Sequence, residues 1–225
     1  MKVLIKRGQI SVNDKIAKTS DLKVDPENDV VRIDGEQVVF KKYIYIMLNK
    51  PQGVVCSTRD GLSPTVLSLV PNELMRKGLF PAGRLDKDTE GFVLITDDGE
   101  LAHKMLSPKN HVPKVYYVEL SEKIATDYKE KLSKGIALPS GEECLPAELF
   151  EIYGKDKACH IILHEGMFHQ VKKMFEALGN EVVFLKRIQI GGLELDEKLE
   201  KGKCQEILHK NVEKLLEHPD FKGIF

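Results

Sequence analysis

Seventeen consecutive residues, Gly83 to Gly99 (GRLDKDTEGFVLITDDG), constrain this chain more than any other stretch. Phe92-Val93-Leu94-Ile95 is a short apolar run rich in strand formers, and Asp97-Asp98-Gly99 closes it with turn chemistry. A run this apolar predicts a strand buried on both faces. Ahead of it, Arg84, Asp86, Lys87, Asp88, Thr89 and Glu90 are broken only by Leu85, and Gly83 and Gly91 bracket the segment. One reading is a charged surface loop before a core strand. The other is a functional loop: the glycines allow tight backbone geometry, and Leu85 anchors inward and presents Asp86 beside Arg84. A carboxylate on a short loop where a strand begins can serve as nucleophile or general base.

The 225 residues suffice for one good core plus a small accessory unit. No apolar run approaches the ~20 residues that span a bilayer, and the basic N-terminus MKVLIKRGQI does not read as a signal peptide. A cytoplasmic protein without membrane contact is expected. Cys56, Cys144, Cys159 and Cys204 lie far apart and read as reduced thiols, and the histidines lack metal spacing, so no metal is expected. The balance of 34 basic against 35 acidic residues does not announce a nucleic-acid binder. The charges are unevenly spread, however. From Leu101 to Val118 there is no acid, while Lys104, Lys109, Lys114, His103 and His111 are present, and acids gather between Glu194 and Asp220. Such patches can bind phosphate locally without indiscriminate affinity.

Residues 1–41 read as a separate small unit: the end of a helix over Met1 to Arg7 stopped by Gly8, a strand at Gln9–Asn13, a polar turn at Lys23–Asp29, and a hairpin through Asp34-Gly35 to Val39. Lys41-Lys42 is a linker. Strands are expected at Tyr43–Leu48 and Val54–Thr58, joined by the turn Asn49-Lys50-Pro51-Gln52-Gly53, with Lys50 and Pro51 structural at the cleft. A short helix is expected near Thr65–Val70. Gly99–Leu106 reads as a helix with Leu101, Ala102, Met105 and Leu106 inward. Val115–Leu120 reads as a strand with Tyr116, Val118 and Leu120 on one face and Val115 and Tyr117 on the other. Further on come an exposed helix at Asp127–Lys134, antiparallel strands near Cys144–Tyr153 and Ala158–His164, and a helix whose stripe is Phe168, Val171, Phe175 and Leu178. A strand over Glu181–Ile190 and a terminal helix over Asn211–Glu217 complete the chain.

Gly83-Arg84-Leu85-Asp86, Thr89, Gly91, the apolar strand and Thr96-Asp97-Asp98-Gly99 together resemble the catalytic motif of the RsuA-type family of ribosomal RNA pseudouridine synthases. Lys114-Val115-Tyr116 resembles that family's Lys-x-Tyr motif, and Glu165-Gly166-Met167-Phe168-His169-Gln170-Val171-Lys172 a third. Ile190-Gly191-Gly192-Leu193 resembles the last, an apolar wall under the uracil. The resemblance implies Asp86 as the catalytic aspartate, Tyr116 stacked on the target base, Lys172 paired with Asp86, Arg84 filling the gap left by an extruded uridine, and Ile190 and Leu193 against the uracil. Met167 departs from the pattern, which is usually basic there. Residues 42–225 would be the catalytic domain, an α+β fold with a long mixed, mainly antiparallel sheet and flanking helices. Residues 1–41 resemble the later part of an RNA-binding module that precedes it, starting within the module's second helix.

The implied reaction is uridine isomerisation in ribosomal RNA, most like the members acting on small-subunit (16S) rRNA, by a monomer without a cofactor. The partner would be ribosomal RNA or a small-subunit assembly intermediate. Competing readings are a large-subunit rRNA enzyme, a non-catalytic assembly factor on the same scaffold, and a hydrolase using Asp86 with Asp88. The i, i+2 spacing of those two carboxylates disfavours the hydrolase.

Overall fold

The computed structural model describes residues 1–26, 28–38 and 40–221, so Glu27 in the expected polar turn and Val39 at the end of the expected hairpin lie outside the described residues. The chain divides into two compact units, Met1–Tyr43 and Ile44–Phe225. The first holds α1 (Lys2–Lys6) and four short strands, β1 (Ile10–Val12), β2 (Lys15–Ile16), β3 (Val31–Ile33) and β4 (Glu36–Val38), in the order β2-β1-β3-β4. Asp34 and Gly35 both take positive φ, the geometry of a tight two-residue hairpin between β3 and β4.

The second unit is built on one sheet. Its elements are β5 (Tyr45–Lys50), β6 (Phe80–Ala82), β7 (Glu90–Thr96), α2 (Gly99–Leu106), β8 (Lys114–Leu120), α3 (Tyr128–Ser133), β9 (Ile136–Ala137), β10 (Glu143–Cys144), β11 (Glu148–Ile152), β12 (Lys155–Leu163), α4 (Gln170–Ala177), β13 (Val182–Ile190), β14 (Leu193–Glu194) and β15 (Cys204–Glu206). Among the described residues the large sheet runs β11-β12-β8-β13-β7-β5-β15, with β14 beside β13 and β6 beside β7. Every pair is antiparallel except β7 with β13, which makes the sheet mixed.

β7 is the centre of this arrangement. All seven of its residues are buried, and Phe92, Val93, Leu94 and Ile95 have no exposed surface, so the strand is covered on both faces as its sequence predicts. Removing one such side chain, as in Leu94→Ala, would cost about 2–5 kcal/mol. Asp98 caps α2, its carboxylate accepting from the amides of Glu100 and Leu101, so the turn that ends β7 also starts the helix. On one face of the sheet Ile46, Leu48, Val118, Leu120 and Ile161 join a core that takes in Val171, Met174 and Phe175 of α4.

Several expected elements differ. β5 extends through Asn49 and Lys50, which the sequence assigned to a turn, because both pair with β7. Val54–Thr58 is not a strand: it forms one bridge, Val55 to Thr65, and then bends where Ser57 Oγ bonds the Arg59 carbonyl. α3 is not uniformly exposed, since Tyr128 and Leu132, one turn apart, are buried. The Asn211–Glu217 helix is instead two 3-10 turns, His209–Asn211 and Glu213–Leu216, and the Lys214 carbonyl accepts from both Glu217 and Gly192. Among the described residues, no helix is long and apolar enough to cross a membrane.

Candidate active site

The loop from Gly83 to Thr89 turns sharply before β7, and three contacts fix it. Leu85 is buried in the core and its amide donates to Cys56 Sγ. The Thr89 amide donates to the Asp86 carbonyl, closing a turn, and the Gly53 amide donates to the Lys87 carbonyl. Beneath them lies Lys50, with no exposed surface. Its ammonium donates to the carbonyls of Thr89 (2.8 Å), Asp86 (2.9 Å) and Pro51 (3.1 Å), with Lys87 at 3.4 Å. Burial holds the Lys50 amine below its ordinary range, while Cys56, Asp88, Asp86 and Glu90 oppose that shift. A buried cation thus grips the loop by its backbone and leaves the side chain of Asp86 free to face outward.

Gly91, where the loop becomes strand, has φ +102°, and a Cβ there would collide with the Arg187 carbonyl and lie 2.8 Å from its amide. Only glycine lets β7 and β13 come together in their parallel register, Lys186 beside Glu90 and Arg187 beside Gly91. Arg187, buried, ties the junction by donating from Nε to the Phe92 carbonyl at 2.8 Å.

Around Asp86 the structure assembles a small cleft from Arg84, Thr89, Tyr116, Met167, His169 and Leu185, among others. His169 Nε2 is 3.4 Å from Asp86 Oδ1 and Lys172 Nζ is 3.9 Å from Oδ2. The expected Lys172–Asp86 pair is therefore the longer of two contacts. The chief partner of Lys172 is Asp88, at 2.6 and 2.7 Å, and that ammonium holds the Asp88 carboxyl below the usual range. Arg84 lines the same cleft and makes no ion pair among the described residues. Thr89 Oγ1 is buried there without a hydrogen-bond partner among the described residues, which leaves it available to a ligand.

Tyr116 and Tyr117 part company as strand alternation requires: Tyr116 is in the Asp86 cleft, while Tyr117 lies on the opposite face and donates its hydroxyl to Glu119 at 2.7 Å. Lys114, two residues before Tyr116, is buried with its ammonium on the Val112 carbonyl. Burial and neighbouring Arg187 push it down to about 8.

Ile190 and Leu193 are not in the cleft. They pair with each other where β13 turns into β14, five residues beyond Leu185, and are buried away from Asp86. The apolar wall is Leu185 with Leu163 and Val171. Their alternation could have signalled this, since Leu185 stands beside Val118 on the next strand and shares the face of Tyr116. The sequence also passed over His169 and the clamp made by Lys50. Among the described residues, no group of three or more His, Cys, Asp and Glu side chains is placed to hold a metal ion.

Comparison with known proteins agrees with this geometry. Residues 44–177 match the model of the RNA pseudouridylate synthase family. An uncharacterized RNA pseudouridine synthase of Bacillus subtilis is 43% identical over 96% of this chain and 92% of its own length. The ribosomal small subunit pseudouridine synthase A of Vibrio vulnificus is 41% identical (93% and 90%), and that of Escherichia coli 38% (92% and 89%). A crystal structure of a pseudouridylate synthase, 39% identical, superposes with a TM-score of 0.72 over 95% of this chain and 91% of that one. The chain belongs to the RNA pseudouridylate synthase family and is a pseudouridine synthase of RsuA type, an isomerase acting on RNA.

Proposed function

We propose that this protein converts a specific uridine of small-subunit ribosomal RNA to pseudouridine, with Asp86 as the catalytic group. The observation that carries the reading is the half-buried carboxylate of Asp86, held by its backbone from below and flanked by His169 and Lys172, in the cleft that Tyr116 lines. The extent of identity to the small-subunit enzymes supports the choice of substrate.

In the reaction the N1–C1′ bond of uridine breaks, the uracil turns, C5 bonds to C1′, and a proton passes from C5 to N1. Atoms and electrons balance within the nucleotide. His169 and Lys172 flank the carboxylate of Asp86, the group that can attack the sugar or the base. Tyr116 and Leu185 give the turning ring an apolar slot, and stacking on such a ring is worth ~1–3 kcal/mol. Extruding the uridine from its helix costs a few kcal/mol, and Arg84, which makes no ion pair among the described residues, occupies the vacated space.

The test is to map pseudouridine in ribosomal RNA from cells with and without the gene, and with an Asp86→Asn copy. One small-subunit uridine should lose its modification in the last two strains. Loss at a large-subunit position would refute the substrate, and an unchanged map would refute the function.

A further inference from the structure

Phe168 is a side chain the fold does not explain. Its spacing predicts a core stripe with Val171, Phe175 and Leu178, yet α4 begins two residues later and Phe168 keeps 63% of its surface in solvent. Leaving a phenyl ring outside forfeits the gain from burying it. The ring is nevertheless fixed. It stacks on the imidazole of His169, with centroids 3.8 Å apart and planes inclined by 20°. That same imidazole reaches Asp86 at 3.4 Å, and Met167, one residue earlier, lines the cleft. An apolar flat surface is therefore mounted at the rim, one side chain removed from the carboxylate.

Lys173 stands beside it. Its ammonium lies 5.6 Å from the Phe168 ring centre, close to the ~6 Å outer limit of a cation–π contact, and 3.7 Å from Glu142. Neither contact is tight, so the ammonium can move. An exposed ring next to a loosely held cation is the combination by which proteins take up single-stranded nucleic acid, base on ring and phosphate on cation.

We propose that Phe168, backed by His169, is the stacking ledge for the base adjoining the uridine in the Asp86 cleft, and that Lys173 leaves the ring for that nucleotide's phosphate. The inference rests on the reading of the cleft as a uridine site. When the uridine leaves the stack its neighbour loses a partner, and the Phe168 face replaces it. Every base has a π-face, so the ledge governs affinity without selecting a sequence.

The experiment uses the full chain and a short single-stranded RNA with one central uridine, carrying a fluorescent adenine analogue at either neighbouring position. The wild type should quench the fluorescence at one of the two positions. Phe168→Ala should abolish that quenching and weaken binding about 5- to 150-fold, the equivalent of ~1–3 kcal/mol of stacking. Phe168→Tyr should retain both. Because the side chain is exposed, Phe168→Ala should melt at the wild-type temperature, which separates the ledge from a folding role. An Ala variant that binds and quenches like the wild type overturns the ledge, as does wild-type quenching that is equal at both positions and insensitive to Phe168. Tritium release from C5-labelled uridine in a small-subunit rRNA transcript is measured alongside. Its absence in the wild type, with quenching intact and dependent on Phe168, supports the ledge and counts against the isomerase reading alone.

Discussion

Tyr116 and Tyr117 are consecutive in the chain and look out on opposite faces of one sheet, and the two faces could hardly differ more. Tyr116 faces a cleft of about 60 Å³ with Asp86, Arg84 and His169. Tyr117 faces a hollow of about 610 Å³ with Phe184, His160 and Lys186. By volume the ligand belongs behind the sheet. The chemistry points to the front, because several polar groups behind it are already engaged: Glu90 with Lys201 at 2.9 Å, the Tyr117 hydroxyl with Glu119, and Asp196 with the amide of Lys198. In front, Asp86 is presented to solvent, Thr89 Oγ1 has no partner among the described residues, and Arg84 makes no ion pair among them. A cleft of about 60 Å³ holds a few waters and no nucleobase. A site that receives a base pulled from RNA is therefore better recognised by the chemistry of the groups that line it than by its emptiness.

The comparison breaks outright if the front face can lose its carboxylate. Asp86→Asn should abolish tritium release by many powers of ten, at ~1.4 kcal/mol each, while Glu194→Gln behind the sheet should leave turnover unchanged. Next in size is the clamp. Lys50→Met strips the ammonium from the carbonyls of Thr89, Asp86 and Pro51, of which Asp86 keeps the Thr89 amide, and should lower stability by about 3 kcal/mol and cut turnover together, read by denaturant unfolding and single-turnover rates.

Lys114 sharpens the contrast through pH. Its folded value of about 8 lies below the ordinary 10.5, so between those values the unfolded chain binds the additional proton. Stability should rise with pH across that window, by at most ~3 kcal/mol, and Lys114→Met should remove the rise in a pH series of urea midpoints. The smallest effect separates the two tyrosines: Tyr116→Ala should lose ~1–3 kcal/mol of transition-state stabilisation. Tyr117→Phe should turn over normally. Inactivity of Tyr117→Phe with a normal Tyr116→Ala would reverse the assignment of faces.

What could be read in advance was what local chemistry dictates. The buried strand after Gly91, the Asp98 turn and the opposite facing of Tyr116 and Tyr117 follow from composition and a period of two. Lys50 reads as structural at the cleft, but Asn-Lys-Pro-Gln-Gly is good turn chemistry and hides its strand pairing, and the carbonyls that claim its ammonium include residues 36 to 39 positions away. Phe168 was misread because helical spacing was continued upstream of the residue that ends it: His169 sits in the left-handed region at φ 55°, which breaks the stripe before Gln170. Ile190 and Leu193 were chosen from a motif, and only the register of β13 against β8 puts Leu185 in their stead.

The lone parallel pairing of the sheet bears on how the molecule comes into being. β11 and β12 are antiparallel neighbours joined by a short turn, and such contacts close quickly. β7 can reach β13 only after the whole intervening chain exists: Arg187 grips Phe92 across 95 residues. A chain still being synthesised therefore carries Asp86 long before it carries Leu185, the opposite wall of the cleft. Loop-closure entropy makes that union a late event in refolding as well. Catalytic competence would then arrive only near the end of folding, when the wall that carries Leu185 closes on the loop that carries Asp86.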